Sequence, residues 1–472
     1  MGRIVPCVLL PALSLGAMGG MTGCGAGADR PNIVLVVLDT VRDDYTGVGG
    51  SEVPRTPQLD LIAGEGTVFL NAWATAPWTV PSHASFFTGL LPSEHGCTHQ
   101  TPSLDPSFPT IAEILAGAGY ETAAFFSNTW LADRTTGLLR GFSQRIEAPQ
   151  LGGRPGDPGR YRGDQGGRAS NLNVQQWLRA RDGDSPFFLF VNFLEPHHPY
   201  DPSPAVRQAH LSDLDEHDHV SSNWVMEYQA GLHPAETVDW QRIGRLYGGD
   251  VISADQLLGD LVTTLRQMDL YDQSVVIVTS DHGENLGDHG LLAHQFSVHE
   301  TLLEVPLVVR FPGRLQPGLR NAPVMLTDLF ATLLDVAGVD GVELPRHSVS
   351  LLNETLSAPR PLIAEYSTPH PSLLAALRQF NPEADMAGLS RAYRTVRHDN
   401  LRLTQASDGS LQLHDVEVDP AQTRNLATER PEDVASLLML LKSTLPEEVF
   451  EGQPLDIDEP TREQLRSLGY IR

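Results

Sequence analysis

Three apolar segments of the sequence end in side chains that can bind a metal ion or transfer a proton. The segments and the side chains that follow them are 33–38 with Asp39, 187–193 with Glu195 and His197, and 274–279 with Asp281 and His282. Ligands of open α/β sheets bind beyond the carboxyl ends of the strands, so these groups converge if the strands are neighbours. A single Asp after a strand usually belongs to a turn and has no other role. Three strands that end in such side chains make this explanation weaker.

Asp39, Asp281 and His282 together offer two carboxylates and one imidazole. Carboxylate oxygens suit Ca²⁺, Mg²⁺ or Mn²⁺, and the imidazole also admits Zn²⁺. The sequence therefore predicts one divalent metal ion at this edge of the sheet.

Thr79 is a candidate for anion chemistry because of its place in a predicted helix. It precedes Pro81, which suits the first turn of a helix over residues 82–90. The Thr79 hydroxyl would then lie beside free backbone N–H groups at the positive end of the helix dipole, where an anion is favoured. Thr is also a good N-cap, and on local spacing alone the cap is the better interpretation.

Alternating strands and helices must position these groups. The β-branched run 33–38 is typical of a parallel strand buried on both faces. Further strands are predicted over 121–126, 187–193, 274–279 and 305–311, and helices over 56–64, 108–118, 250–270 and 328–337. This order predicts an α/β fold with a mostly parallel central sheet flanked by helices.

The pattern changes towards the C-terminus. After about residue 344 the sequence predicts short antiparallel strands over 391–404 and 411–416, and then a helical tail from Arg430. Two stretches rich in Gly, Pro and Asp, 152–167 and 198–239, are predicted to be long excursions that could carry substrate-specific walls.

The overall composition is that of a globular chain with a strongly acidic balance. Its 472 residues are 41% hydrophobic and 19% charged, enough for a large catalytic domain and a smaller one. The formal net charge of −26 argues against nucleic acid as a partner, because binding it needs a basic face. Because the chain is acidic overall, binding an anionic substrate would require a local positive charge, most simply a metal ion.

The N-terminus resembles an export signal with a lipid-attachment site. Arg3 precedes an apolar run over 4–15, which is too short to span a bilayer. Residues 21–24 read Met-Thr-Gly-Cys, similar to a bacterial lipoprotein cleavage box with Cys24 as the lipidated residue. We expect an exported protein, held at a membrane through Cys24 in the periplasm or at the cell surface; a plain secretory signal is the alternative.

These observations predict four segments along the chain. They are a lipoprotein signal peptide over 1–23, a tether over 24–30, a catalytic domain over 31–344 and a C-terminal antiparallel subdomain with a helical tail over 345–472.

The segment that begins at Thr79 resembles the sulfatase signature C/S-x-P-S-R-x-x-x-x-T-G. It reads TVPSHASFFTG, with Thr for the Cys or Ser that sulfatases oxidise to an aldehyde and His for Arg. Other segments resemble bacterial sulfatases of the alkaline phosphatase superfamily, in order over nearly the whole mature chain. They are PNIVLVVLDTVRDDYTG from Pro31, PFFLFVNFLEPHHPY from Pro186, VVIVTSDHGENLGDHG from Val275, TDLFATLLDVAG from Thr327, LHDVEVDPAQTRNLA from Leu413 and RSLGYI from Arg466.

This resemblance identifies the chain as a member of the sulfatase family and implies a fold, a cofactor and a nucleophile. The implied fold is an alkaline phosphatase-like α/β sandwich with a small C-terminal antiparallel sheet. The resemblance implies one divalent metal ion at Asp39, Asp281 and His282. It also implies Thr79 as the nucleophile, and it places Thr40 where many sulfatases have a second metal-binding Asp.

The departures from the family pattern remove fixed positive charge from the site. The Arg of the signature is His83, the Lys of the family's H-G-x-x-x-K is His294, and the family's G-K-W-H segment reads FSNT over residues 126–129. Histidines are mostly uncharged near neutral pH unless their pKa is shifted. A site with few fixed cations would favour a substrate with a single negative charge. Such substrates are phosphodiesters, phosphonate monoesters and sulfate esters.

Thr79 itself favours phosphoryl transfer over sulfuryl transfer. Its Cβ carries a methyl group, whereas the known conversion to formylglycine starts from Cys or Ser. A phosphothreonine is a familiar intermediate in the alkaline phosphatase superfamily, and a sulfothreonine would be a poor one.

Three functions follow as alternatives. The first is a metal-dependent hydrolase of anionic esters, in which Thr79 attacks and His197 or His294 protonates the leaving group. The second is a transferase that passes a phosphoryl-linked group to an envelope acceptor. The third is a non-catalytic lipoprotein that binds an anionic glycan or lipid, and the retention of Thr79 together with the three metal-binding residues argues against it.

Overall fold

The structure is a computed structural model of the full chain. It describes residues 30–132, 134–149, 163–183, 185–353, 356, 359–447, 449–452, 459 and 461–462. The predicted signal peptide, Cys24, most of the stretch 152–167 and the end of the C-terminal tail lie outside the described residues.

The described residues form strands and helices that alternate over most of the chain. The strands are β1 (Asn32–Leu38), β2 (Thr67–Trp73), β3 (Glu121–Phe126), β4 (Gln144–Glu147), β5 (Phe187–Phe193), β6 (Ser274–Thr279), β7 (Asn285–Leu286), β8 (Leu292–Ala293), β9 (Leu307–Arg310), β10 (Gly318–Met325), β11 (Leu362–Tyr366), β12 (Tyr393–His398), β13 (Leu401–Ala406) and β14 (Leu411–Asp415). The helices are α1 (Pro57–Glu65), α2 (Thr79–Thr88), α3 (Pro92–His95), α4 (Ile111–Gly117), α5 (Gly167–Ala180), α6 (Pro204–His210), α7 (Ser222–Gln229), α8 (Trp240–Gln267), α9 (Glu300–Leu303), α10 (Asp328–Ala337), α11 (Pro371–Phe380), α12 (Met386–Leu389) and α13 (Pro431–Thr444).

The central sheet is mostly parallel, as the sequence predicts. Its eight strands lie in the order β10-β2-β9-β6-β1-β5-β3-β4, and β9 runs antiparallel to both of its neighbours. Strand β1 lies between β5 and β6 and pairs in parallel with both, with Leu38 opposite Phe193 and Val37 opposite Thr279. The carboxyl ends of β5, β1 and β6 therefore meet at one edge of the sheet.

Helices cover both faces of this sheet because its central strands are apolar on both sides. Alternate residues of β1 belong to two separate cores: Ile33, Leu35 and Val37 pack with α2, α4 and α10, and Val34, Val36 and Leu38 pack with α1, α5 and α8. All six side chains are fully buried. Full burial of such a side chain contributes about 1.5–3 kcal/mol, which explains why a continuous run of Ile, Val and Leu lies at the centre of the sheet.

Helix α8 is longer than the sequence suggests. It begins at Trp240 rather than near residue 250, and Asp239 caps it by accepting a hydrogen bond from the Arg242 amide. Glycines lower helix propensity, so Gly248 and Gly249 weaken the sequence signal in this first part. They are needed for packing: a Cβ on Gly249 would lie 2.6 Å from Cγ of Pro202.

The predicted excursion over 198–239 contains regular structure, because helices α6 and α7 lie within it. The sequence did not predict strands β2 and β10 either. Strand β10 lies at the edge of the sheet and contains Pro323, which is tolerated there because an edge strand has one unpaired side.

The C-terminal part of the described chain forms a second, antiparallel sheet. Its order is β11-β12-β13-β14, so the predicted stretch 391–404 is a hairpin of β12 and β13. This sheet joins the central one through β11, whose Glu365 amide donates to the Thr75 carbonyl. The small antiparallel sheet expected from the family resemblance is therefore confirmed.

None of the helices among the described residues is both long enough and apolar enough to cross a membrane.

Candidate active site

The side chains predicted at the ends of β1 and β6 do converge. Ligand atoms of Asp39, Asp281 and His282 all lie within 4.8 Å of one another, and all three residues are fully buried. The parallel pairing of β1 with β6 explains this, because it brings the residues after the two strands together. We call these three residues the ligand cluster.

The ligand cluster has the unsatisfied atoms that a cation would need. Asp39 Oδ1, Asp281 Oδ2 and His282 Nε2 are buried and have no hydrogen-bond partner. The Nδ1–H of His282 donates to the Gly283 carbonyl at 2.9 Å, which leaves the lone pair on Nε2, 3.4 Å from Asp281 Oδ2. Lone pairs that face each other in a buried site repel unless a cation lies between them, so these residues fit a divalent metal ion.

The other oxygen of each carboxylate is held by fixed donors. Asp39 Oδ2 accepts from the amides of Asn128 and Asn192, both at 3.0 Å. Asp281 Oδ1 accepts from the backbone amides of Thr40 at 3.2 Å and His282 at 3.0 Å. Such outer partners orient ligands and tune their affinity for metal.

Burial makes the charged forms of both carboxyl groups costly without a cation. Burial, and then the proximity of Asp281, raises the pKa of Asp39 to about 7. Burial likewise raises the pKa of Asp281 to about 7, although backbone amide donors oppose the shift. The pKa of His282 is lowered by burial, so its imidazole is held in the neutral form that binds metal.

Thr40 contributes through its backbone. Its φ of 59° is in the left-handed region, and its amide donates to Asp281 while its carbonyl accepts from the Tyr247 hydroxyl at 2.7 Å. Its own hydroxyl is buried beside Asp39 and has no hydrogen-bond partner.

Thr79 is the first residue of α2 rather than its cap. The N-cap is Trp78, which makes no side-chain capping hydrogen bond, so the cap interpretation of Thr79 is wrong. The Thr79 hydroxyl instead accepts from the Asn128 amide at 3.3 Å. Helix α2 is tied to the ligand cluster by Ser82, whose hydroxyl donates to the Asp281 carbonyl at 2.6 Å.

His83 lies one helical turn after Thr79. Its Nδ1–H donates to the Thr79 carbonyl at 2.9 Å and lies 3.5 Å from Asp281 Oδ2. Burial lowers the pKa of His83 to about 3, and its ring centroid lies 4.7 Å from that of Phe86 and 5.9 Å from that of Phe190. The neutral His83 side chain therefore contacts both helix α2 and the ligand cluster.

His294 lies beside His282 of the ligand cluster, and His197 lies beside His294. The His294 ring centroid is 4.6 Å from that of His282 and 5.1 Å from that of His197. His294 Nδ1 lies 3.0 Å from Glu284 Oε1, and His197 Nδ1 donates to the His198 carbonyl at 2.7 Å. Burial lowers the pKa of both histidines well below the ordinary value.

Sequence reasoning missed three polar residues of this site. Asn128 follows β3 at its carboxyl end, and the rule that identified Asp39 would have identified it too. Asn192 is an amide within the otherwise apolar strand β5, an unusual composition for a buried strand. Glu284 offered a weaker signal, because only its contact with His294 distinguishes it from other acids near β6.

The fold is alkaline phosphatase-like and is shared with solved structures over most of their length. It superposes on the phosphonate monoester hydrolase of Agrobacterium radiobacter with a TM-score of 0.69 at 20% identity, over 88% of this chain and 96% of that one. A solved structure in complex with its substrate D-glucosamine-2-N,6-O-disulfate gives a TM-score of 0.69 at 18% identity, over 88% and 97% of the two chains.

Residues 31–339 match the family model described as Sulfatase. The chain therefore belongs to the sulfatase family and is an enzyme of the sulfuric ester hydrolase type. Arylsulfatase K of Bos taurus is 28% identical to it, over 94% of this chain and 87% of that protein.

Proposed function

We propose that this protein hydrolyses singly charged phosphorus esters, phosphodiesters or phosphonate monoesters, with unmodified Thr79 as nucleophile and a divalent metal ion at the ligand cluster. One observation carries this proposal. The Asn128 amide lies 3.0 Å from Asp39 Oδ2 and 3.3 Å from Thr79 Oγ1. One amide group therefore joins the Thr79 hydroxyl to Asp39 of the ligand cluster.

A divalent cation held by the ligand cluster would supply positive charge to the ester oxygens and lower the pKa of a neighbouring hydroxyl. The protein's own residues would do the remaining work. Asn128 orients the Thr79 hydroxyl, and the first turn of α2 offers backbone N–H groups to the developing negative charge. The side chains of the site are fully buried, so these dipoles act in a medium of low dielectric constant and more strongly than they would at the surface.

The reaction would proceed by two displacements at phosphorus. Thr79 Oγ1 gives up its proton and forms a bond to phosphorus while the bond to the leaving oxygen breaks. A neutral imidazole, that of His294 or His197, takes up this proton and passes it to the leaving oxygen. Water then attacks the same phosphorus, the bond to Thr79 breaks, and the hydroxyl is regenerated. The hydrogen bond between His294 and Glu284 would hold the imidazole in place for this transfer.

The charge of the site supports a singly charged substrate. Among the described residues, the side chains that hydrogen-bond to Thr79 or the ligand cluster are all uncharged; they are the amides of Asn128 and Asn192, the hydroxyl of Ser82 and the imidazole of His83. Burial keeps His83 and His282 neutral. A dianionic monoester would lack fixed cations to balance its second charge. A sulfate ester also carries one charge and is the second candidate, favoured by the similarity to arylsulfatase K.

The test is hydrolysis by the purified protein of three substrates with one aryl leaving group: a sulfate ester, a phosphodiester and a phosphonate monoester. Each is assayed with Ca²⁺, Mg²⁺, Mn²⁺ and Zn²⁺ in turn. We expect Thr79→Ala to lose more than about a thousandfold in kcat while keeping its fold and its metal. Thr79→Ser should stay within about tenfold of wild type, because the hydroxyl remains.

Intact-mass analysis of protein trapped during turnover should show an adduct on the peptide that contains Thr79. Full activity of Thr79→Ala would contradict the assignment of Thr79 as nucleophile and would indicate that water attacks the ester directly. Activity on the sulfate ester alone would support the second candidate. Adduct formation followed by transfer to an added alcohol, with little hydrolysis, would indicate the transferase.

For the N-terminus we propose export and attachment to a membrane through lipid on Cys24. The support is the sequence of residues 1–24 alone, and the proposal is independent of the chemistry at Thr79.

A further inference from the structure

A second group of nitrogen donors lies in and next to a cavity outside the ligand cluster. The cavity has a volume of about 580 Å³ and lies between the loop that follows β7 and the antiparallel sheet. Its lining includes His289, His299, Arg391, Arg402 and Gln412. None of these residues takes part in the site at Thr79.

Arg402 is a buried cation with an unused donor. Only 1% of its surface is exposed, and its guanidinium lies over the Trp73 ring at 5.5 Å. Its Nε donates to Thr395 Oγ1 at 3.1 Å and its Nη1 to Gln422 Oε1 at 2.7 Å. Its Nη2 is buried without any acceptor, and leaving such a donor unsatisfied is costly.

Gln422 presents a second unused donor beside it. Its Oε1 accepts from Arg402 and lies 3.3 Å from His299 Nδ1, so this oxygen is fully occupied. Its Nε2 is then a donor, and it is buried without a partner. The backbone of Gln422 is held at a φ of 53°, and a non-glycine residue keeps such a conformation only when its surroundings impose it.

Histidine rings complete the donor group. His289 stacks on His299 with ring centroids 3.6 Å apart and an angle of 11° between the planes. His414 lies opposite Arg402 across β13 and β14, and its Nδ1 is buried without a partner. His289, which lines the cavity, also has a left-handed φ of 53°.

The carboxylates of this region are engaged elsewhere. Glu304 accepts from Arg397 at 2.6 Å, and Glu300 lies 3.4 Å from the same guanidinium. Asp419 accepts from the Arg424 amide at 2.8 Å and the Thr423 hydroxyl at 3.1 Å. Arg402 Nη2 and Gln422 Nε2 therefore have no carboxylate partner.

We propose that this cavity is a binding site for a tetrahedral oxoanion, a sulfate or phosphate group carried by a larger molecule. An oxoanion presents several acceptor oxygens, which is what a guanidinium edge, an amide N–H and imidazole N–H groups require. The proposal does not depend on the proposed function. One continuous segment does connect the two sites, because His294 and His299 are five positions apart in the sequence.

The test is calorimetric titration of the full-length Asp281→Ala protein with inorganic sulfate, in the presence of a chelator. This background removes metal-dependent binding at the ligand cluster. We expect one sulfate per chain with a Kd at or below about 1 mM. Adding Arg402→Gln should weaken binding by about tenfold or more, and adding His289→Phe, which keeps an aromatic stack, by about threefold.

The matched control is Arg391→Gln, added to the same background. Arg391 also lines the cavity, but its Nε is paired with Asp408 at 2.8 Å, so binding should stay unchanged. Absence of sulfate binding, or equal binding by all variants, would overturn the proposal. If Arg402→Gln does not fold, as judged by thermal melting, the comparison of His289→Phe with Arg391→Gln decides.

Discussion

Replacing Asn128 with Ala removes a side chain that hydrogen-bonds both to the ligand cluster and to the hydroxyl of the proposed nucleophile. Its Nδ2 donates to Asp39 Oδ2 at 3.0 Å and to Thr79 Oγ1 at 3.3 Å. Asn192 provides a matched control, because it donates to the same Asp39 oxygen at the same 3.0 Å. The two variants share the lost hydrogen bond to Asp39. Asn128→Ala also loses the hydrogen bond to Thr79 and the one that Asn128 Oδ1 accepts from the Trp130 amide at 3.1 Å.

The magnitudes follow from these two contacts. A hydrogen bond to a charged group is worth about 1.5–3 kcal/mol, and removing an outer partner of a metal ligand weakens metal binding by about 10- to 100-fold. Both variants should show this loss. The longer, neutral contact with Thr79 is worth about 1 kcal/mol, so Asn128→Ala alone should lose a further fivefold or so in kcat.

The assay separates the two effects by saturating each variant with metal. Metal affinity is measured by titration with a chromophoric chelator, and kcat is then measured at saturating metal on the best substrate of the panel. Asn192→Ala should recover wild-type kcat within about twofold, whereas Asn128→Ala should not recover. Equal kcat values for the two variants would refute the role of Asn128 at Thr79.

Two further predictions concern the metal ion and the membrane. Asp281→Ala should abolish both the binding of one metal ion per chain and the activity, whereas Asp272→Asn, at an exposed position, should keep both. Metal content is measured by elemental analysis. If the wild-type protein binds none of the four metals, the proposed metal site is wrong. Cys24→Ala should move the protein from the membrane fraction to the soluble fraction, and an unchanged membrane fraction would leave an ordinary signal or another anchor.

Much of the central sheet could be predicted from local pattern. Strands β1, β5 and β6 are continuous apolar runs, and a strand buried on both faces requires such a run wherever it lies. The first part of α8 could not be predicted, because its glycines read as breakers until Pro202 is seen packed against Gly249. Strand β10 could not be predicted for a similar reason: Pro323 argues against a strand, and only the edge position of β10 makes this proline acceptable.

By itself, the sequence determined which groups follow the strands and which helix carries Thr79, because strand and helix periodicity are local properties of the chain. Tertiary structure alone decided what stands beside them. Asn128 reaches Asp39 because β3 and β1 flank β5 on opposite sides, an order that distant packing fixes. Arg402 and His299 meet for the same reason: they are far apart in the chain, and only the packing of the antiparallel sheet brings them to one cavity.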